Sequence, residues 1–250
     1  MKPLSYKQPP ITEAVIEIKF VTTFDPVRLD EANKKFAKNY PQHQAVKQQL
    51  IKINLPNKEQ QGSKATAQRE ESVGHRRSDP DVTQLLLALP SSFIVSQLAP
   101  YSGWEAFFKR FVRDWNVWKR VMGHNEIARI GVRYINRIDI PVVDNVARFE
   151  DYLNYYPHTP TSLDPVLAYA IQTENYLSNI DCKLTINSAV VEAPILDHMS
   201  FVVDQDISRE FNPPQKDSEI MSLLEQIRLE KNRIFEACIT DKARARFQQI

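Results

Sequence analysis

From Ile127 to Pro141 the sequence reads IARIGVRYINRIDIP, and its apolar and charged residues alternate. Only a β-strand sorts such a pattern onto two faces, because successive strand side chains point in opposite directions. Ile130, Val132, Tyr134, Ile138 and Ile140 therefore share one face. Arg129, Arg133, Arg137 and Asp139 share the other. A second strand of the same kind lies near the start of the chain, with Ala14, Ile16, Ile18 and Phe20 on one face and Glu13, Glu17 and Lys19 on the other. Each of these strands opens the same order of elements: strand, short helix, three strands, long amphipathic helix. The expected fold is α+β and duplicated, with units over residues 1–124 and 125–250 in one compact body. Each unit is expected to form a curved antiparallel sheet backed by its long helix.

In the first unit, Asp25-Pro26 opens a short helix to about residue 39, with Val27, Leu29, Ala32 and Phe36 as its apolar residues. Strands are expected over 46–55, 82–89 and 92–98. Residues 57–80 are polar and aperiodic, which reads as a long hairpin extension or a mobile loop. Ser102-Gly103-Trp104-Glu105 fits a capping box, in which the serine caps a free amide and the glutamate reaches back. Trp104, Phe107, Phe108, Phe111, Val112, Trp115, Trp118 and Met122 then recur at helical spacing, and Gly123 supplies a C-cap. Such an aromatic stripe belongs to a core laid across a sheet. Lys109, Arg110, Arg113, Lys119 and Arg120 are assigned to the solvated side of this helix.

In the second unit, the 127–140 strand leads to a helix over 146–156 and to strands over 166–176, 183–191 and 196–207. Asp217-Ser218-Glu219 opens the last long helix. Its apolar stripe is Ile220, Leu223, Leu224, Ile227, Ile234, Phe235 and Cys238, with Lys231 standing where an apolar residue is expected. Thr240 is placed to cap a final helical turn.

A net charge of +1 over 250 residues removes the simplest argument for nucleic acid, which is a clear basic excess. Lys242, Arg244 and Arg246 are basic, but no aromatic residues interleave with them as a stacking platform requires. Two cysteines, Cys182 and Cys238, are too few for a disulfide framework and read as buried free thiols. No stretch approaches the ~20 apolar residues of a membrane span. The expected location is the cytoplasm, with no membrane association.

Five glycines, none spaced as in a phosphate loop or a dinucleotide turn, argue against nucleotide chemistry, and no cofactor is expected. The histidines are scattered, and no serine or cysteine sits in a nucleophile motif. Asp204 and Asp206 share a strand face and are weak candidates for holding a hard cation. The strongest charge pattern is Arg129, Arg133 and Arg137. These arginines are candidate contacts for a protein partner or a small anionic ligand, and otherwise pair with carboxylates on neighbouring strands. Glu13 and Glu17 enter the same account, because they would face those arginines if the opening strands of the two units were neighbours. The leading reading is a non-enzymatic binding or regulatory protein, and a homodimer is compatible with it. A metal-dependent enzyme with a dispersed acidic site and a nucleic-acid binder are the alternatives.

The segments PITEAVIEIKF (10–20), PYSGWE (100–105), RIGVRYINRI (129–138) and FEACITD (235–241) together resemble a sporadically distributed family of uncharacterised bacterial proteins of about 250 residues. The resemblance runs through nearly the whole chain in order. It transfers no activity and no catalytic residue. Patchy distribution implies mobile genes, and hence a role in a defence or toxin–antitoxin type of system.

Overall fold

Strand β1 (Ile11–Phe20) pairs antiparallel with β6 (Ile127–Pro141), and that pairing joins the two halves of the chain edge to edge. The computed structural model describes residues 6–50, 69–142, 148–160, 162–163 and 166–248. To one side of β1 follow β5 (Ser92–Leu98), β4 (Gln84–Leu89), β3 (Arg69–Ser78) and β2 (Gln42–Leu50). To the other side of β6 follow β9 (His198–Arg209), β8 (Cys182–Val191) and β7 (Ala170–Leu177). The result is one nine-stranded sheet of order β2-β3-β4-β5-β1-β6-β9-β8-β7, antiparallel at every pairing.

This corrects the expectation of a duplicated unit with a separate sheet in each half. Two half-sheets would each leave a long central strand with an unpaired row of amides and carbonyls, and pairing β1 with β6 satisfies both rows at once. The halves also differ in content. The first carries an additional strand, β3, inside the polar stretch assigned to residues 57–80, of which residues 57–68 lie outside those described. The second has no counterpart of α1 (Pro26–Phe36) among the described residues of 146–156, only a single 3-10 turn at Phe149–Asp151. There the backbone is claimed by the end of another helix. Thr240 N donates to Tyr152 O at 3.0 Å, Asn154 N donates to Cys238 O at 2.8 Å, and Leu153 bridges Ile239.

Among the described residues three helices cover one face of the sheet. α1 lies over β3 and β4 and against α2 (Trp104–Met122), α2 lies over β5, and α3 (Asp217–Cys238) lies over β6 and β9. The covered face carries Ala14, Ile16, Ile18, Phe93, Val95, Ile130, Val132 and Tyr134, all at most 1% exposed. Against them packs the aromatic stripe of α2, with Phe93 4.9 Å from Trp118 and Phe20 stacked on Trp115 at 6.2 Å between ring centroids. Both cysteines are buried and free, as read from the sequence. No helix among the described residues is long and apolar enough to cross a membrane.

The helix ends follow their sequence signals unevenly. Asp25 caps α1 by accepting from Val27 N at 2.7 Å, and Thr240 caps α4 (Asp241–Arg246) by accepting from Ala243 N at 3.4 Å. The capping box expected at α2 does not form. Gly103 occupies the N-cap at φ 93°, a conformation other residues rarely adopt, and no side chain caps the first turn. Ser102 is left outside the cap, and the Glu105 carboxylate turns away to Arg228. The uncovered α2 N-terminus is one wall of the cavity described below.

Candidate functional site

The sheet face away from the helices carries the charges singled out by alternation, and most are matched to one another. Glu17 and Arg129 sit on neighbouring strands, and Arg129 Nη1 donates to Glu17 Oε2 at 2.7 Å across the β1–β6 junction. The same guanidinium donates from Nη2 to both oxygens of Asp206, at 2.8 and 2.7 Å. Arg133 grips Asp204 through Nε and Nη2 at 2.8 and 2.7 Å, and those hydrogen bonds hold its pKa above the ordinary arginine value. Asn187 adds a third bond to Asp204 at 3.0 Å. Glu13 accepts from Ser96 Oγ at 2.6 Å, while Arg137 Nε lies 3.2 Å from Asp139 Oδ1 without an aligned hydrogen bond. A Cβ at Gly131 would coincide with the Arg129 guanidinium, so glycine leaves that guanidinium the space in which to lie over the strand.

These contacts bear on two readings. The oxygens of Asp204 and Asp206 are occupied by guanidinium groups, and among the described residues no group of three or more His, Cys, Asp and Glu side chains is arranged to hold a metal ion. The arginine side chains at 129 and 133 are engaged in fork-shaped pairs within the sheet. Arg129→Met would leave Glu17 and Asp206 facing each other without their shared cation. It is expected to lower unfolding stability by about 2 kcal/mol in urea titrations, with partial recovery when Asp206→Asn is added. A double variant no more stable than Arg129→Met would show that this knot does not act as a unit.

A different cluster lies on the helix-covered side. Between the N-terminus of α2, the middle of α3 and the crossing of β1 with β6 is a cavity of about 340 Å³. Lys231, from α3, lines it and is 8% exposed. Its Nζ stands 4.0 Å from the centroid of the Tyr134 ring and, among the described residues, makes no hydrogen bond or ion pair. Burial, reinforced by the neighbouring Arg228 and only partly opposed by Glu236, lowers the Lys231 pKa to about 7. The Tyr134 and Tyr101 hydroxyls are 2.9 Å apart, and burial pushes Tyr101 up to about 12 and Tyr134 well above its ordinary value.

The carboxylates around the cavity are already engaged. Glu236 accepts from Tyr6 Oη and from Arg244 Nε, each at 2.7 Å. Glu105 accepts from Arg228 at 3.0 Å, and Glu225 accepts from Trp104 Nε1 at 2.6 Å. Lys231 is thus the buried basic group that this ring of partners leaves over. The free amides of the α2 first turn add the positive end of a 19-residue helix to the same wall.

Of the candidates read from the sequence, Arg129, Arg133, Arg137, Glu13, Glu17, Asp204 and Asp206 all fall on the open face, away from this cavity. The sequence signal that does lead to it is the lysine interrupting the apolar stripe of α3. Its companions Tyr101 and Tyr134 are separated by 33 positions and carry no shared motif. No protein-family model matches the sequence, and a search of curated proteins finds no match.

Proposed function

We propose that this protein binds a small anionic ligand in the cavity beneath α2 and α3, as a non-enzymatic receptor rather than through its arginine strand. The observation that carries the reading is Lys231. Placing an ammonium group in a site this buried, with no carboxylate paired to it, costs folding energy that a stability role does not return. A bound anion supplies the missing counter-charge. The α2 amides and Arg228 add favourable potential at the same wall. A volume of about 340 Å³ lies within the range of small-molecule sites, and its mix of aromatic walls with a few polar groups is the usual composition of one.

The test is isothermal titration of the whole protein with benzoate, phenylacetate and inorganic phosphate, repeated on Lys231→Met. At least one of these anions is expected to bind, and the variant should lose roughly tenfold or more in affinity, the contribution of one charge-assisted contact in a desolvated site. Equal affinity in the two proteins, or no binding of any anion to the wild type, would overturn the reading.

A further inference from the structure

We propose that the ligand of this cavity is a small oxo acid and that Lys231 captures it reversibly as an imine. The proposal rests on the anion-binding reading above and deepens it by naming the ligand's second functional group.

Four observations on the cavity converge on it. Lys231 lines the cavity at 8% exposure with its Nζ against a ring face 4.0 Å away, and among the described residues no hydrogen bond or ion pair ties it up, so a lone pair needs no partner to be broken first. Its neighbour Arg228 is one turn away on the same helix, and burial together with a nearby cation is the arrangement that leaves a lysine amine unprotonated near neutral pH. The amine faces the ring of Tyr134, whose hydroxyl lies 2.9 Å from that of Tyr101, and burial keeps both phenols protonated. The α2 first turn and Arg228 favour a carboxylate at the wall beside it.

The chemistry balances without a further reagent. The amine lone pair attacks the carbonyl carbon, the C–N bond forms, and the carbonyl oxygen takes a proton to give a carbinolamine. Nitrogen then expels that hydroxyl as water. Both hydrogens of the amine leave with the oxygen, and C=N replaces C=O. Each step needs a proton delivered to or taken from oxygen, which the tyrosine pair is placed to relay. Hydrolysis runs the same path backwards and releases the ligand.

The experiment treats the full-length protein with pyruvate or phenylpyruvate in the presence of sodium cyanoborohydride, followed by intact mass and peptide mapping. Titration with lactate and phenyllactate, which lack the carbonyl, runs in parallel on wild type and on Lys231→Arg. The expected result is one reduced adduct per chain, mapped to Lys231 and absent from Lys231→Arg, with slower trapping in Tyr101→Phe. Binding of the hydroxy acids with no adduct at Lys231 would overturn the imine and leave the anion site standing. Labelling spread over surface lysines at equal rates in wild type and variant would also overturn it. Absence of both binding and adduct would overturn the imine and the anion site together.

Discussion

Replacing Lys231 with methionine should make the protein more stable, by about 3 kcal/mol at pH 7. The lysine is 8% exposed, and its pKa falls to about 7 chiefly through burial. At pH 7 the unfolded chain holds that amine fully protonated, whereas the folded chain holds it only about half so. Folding therefore works against desolvation of the charge or against release of a proton. Methionine keeps most of the volume and removes both costs. The sign with pH follows directly. From pH 7 upward the proton difference between unfolded and folded states grows from about one half towards one, so wild-type stability should rise with a slope of about 0.7 kcal/mol per unit at pH 7 that approaches about 1.4 above pH 8.

That rise should be read between pH 7 and about 8.5. Above that range the buried Cys238 thiol, pushed up to about 11, begins to favour the unfolded state instead. Below it, His75, whose pKa is lowered mainly by burial, enters the titration. Within the window Arg228 repels the Lys231 proton and Glu236 attracts it, and Lys7 and Glu105 are the other charged residues of the lining. The phenols of Tyr6, Tyr101 and Tyr134 stay protonated there, since burial raises all of them. Urea unfolding at three pH values on both proteins would decide the matter. A variant less stable than wild type, or one keeping the wild-type slope, would show that Lys231 is seated comfortably and that its place in the cavity needs no ligand to explain it.

A stabilising substitution at a buried position is the mark of a residue kept for something other than the fold. The sequence already hints at this one, because Lys231 falls where Leu224, Ile227, Ile234 and Phe235 mark the buried side of α3. The hint stops there, since what surrounds Lys231 is set by which strand lies beneath α3. Tyr134 comes from β6, Tyr101 precedes α2, and Tyr6 lies near the chain start. Only the β1–β6 junction brings them together.

That junction was partly legible. Alternation placed Glu17 and Arg129 on matching faces, and their 2.7 Å contact is what neighbouring strands would produce. Alternation fixes which face a side chain takes but not which strand lies alongside, so it could not choose one continuous sheet over two. Strand β3 was illegible for a different reason. Its residues, REESVGHRRS, show no apolar period because only His75–Ser78 pair with β4, while the earlier part pairs with β2 alone. A two-stranded arm is held by backbone hydrogen bonds, which leave no trace in hydropathy. The aromatic helix is legible along its stripe and misleading on one flank, where helical spacing turns Arg110 to solvent. It is 7% exposed, and with it goes the largest destabilising effect expected in the molecule.

Asp114→Ala should cost on the order of 4 kcal/mol, enough to lower the melting temperature by roughly 10 °C in a chain of this size. Asp114 is fully buried on α2, one turn beyond Arg110, beneath the end of the α1 segment. Its Oδ2 accepts from Tyr40 Oη at 2.5 Å, and Arg113 donates to both of its oxygens at 2.8 and 3.1 Å. Arg110 and Arg113 also donate to the same phenol oxygen, at 3.2 and 3.0 Å. Two guanidiniums therefore meet at one phenol oxygen, whose proton goes to Asp114, and Arg110 reaches Ser96 O at 2.8 Å to fasten α2 to β5. Removing the carboxylate leaves the Tyr40 hydroxyl without an acceptor and Arg113 without its ion-pair partner, and Arg110 then donates to a phenol that nothing else holds in place. Asparagine preserves the shape and one acceptor but not the charge, so Asp114→Asn should lose about half as much. The partner deletion Tyr40→Phe should cost less in the Asp114→Ala background than in wild type, because the phenol then has no carboxylate to serve. Strict additivity of the two changes in urea unfolding would mean that Asp114 acts on its own helix alone, and that the clasp between α1, α2 and β5 is not a coupled network.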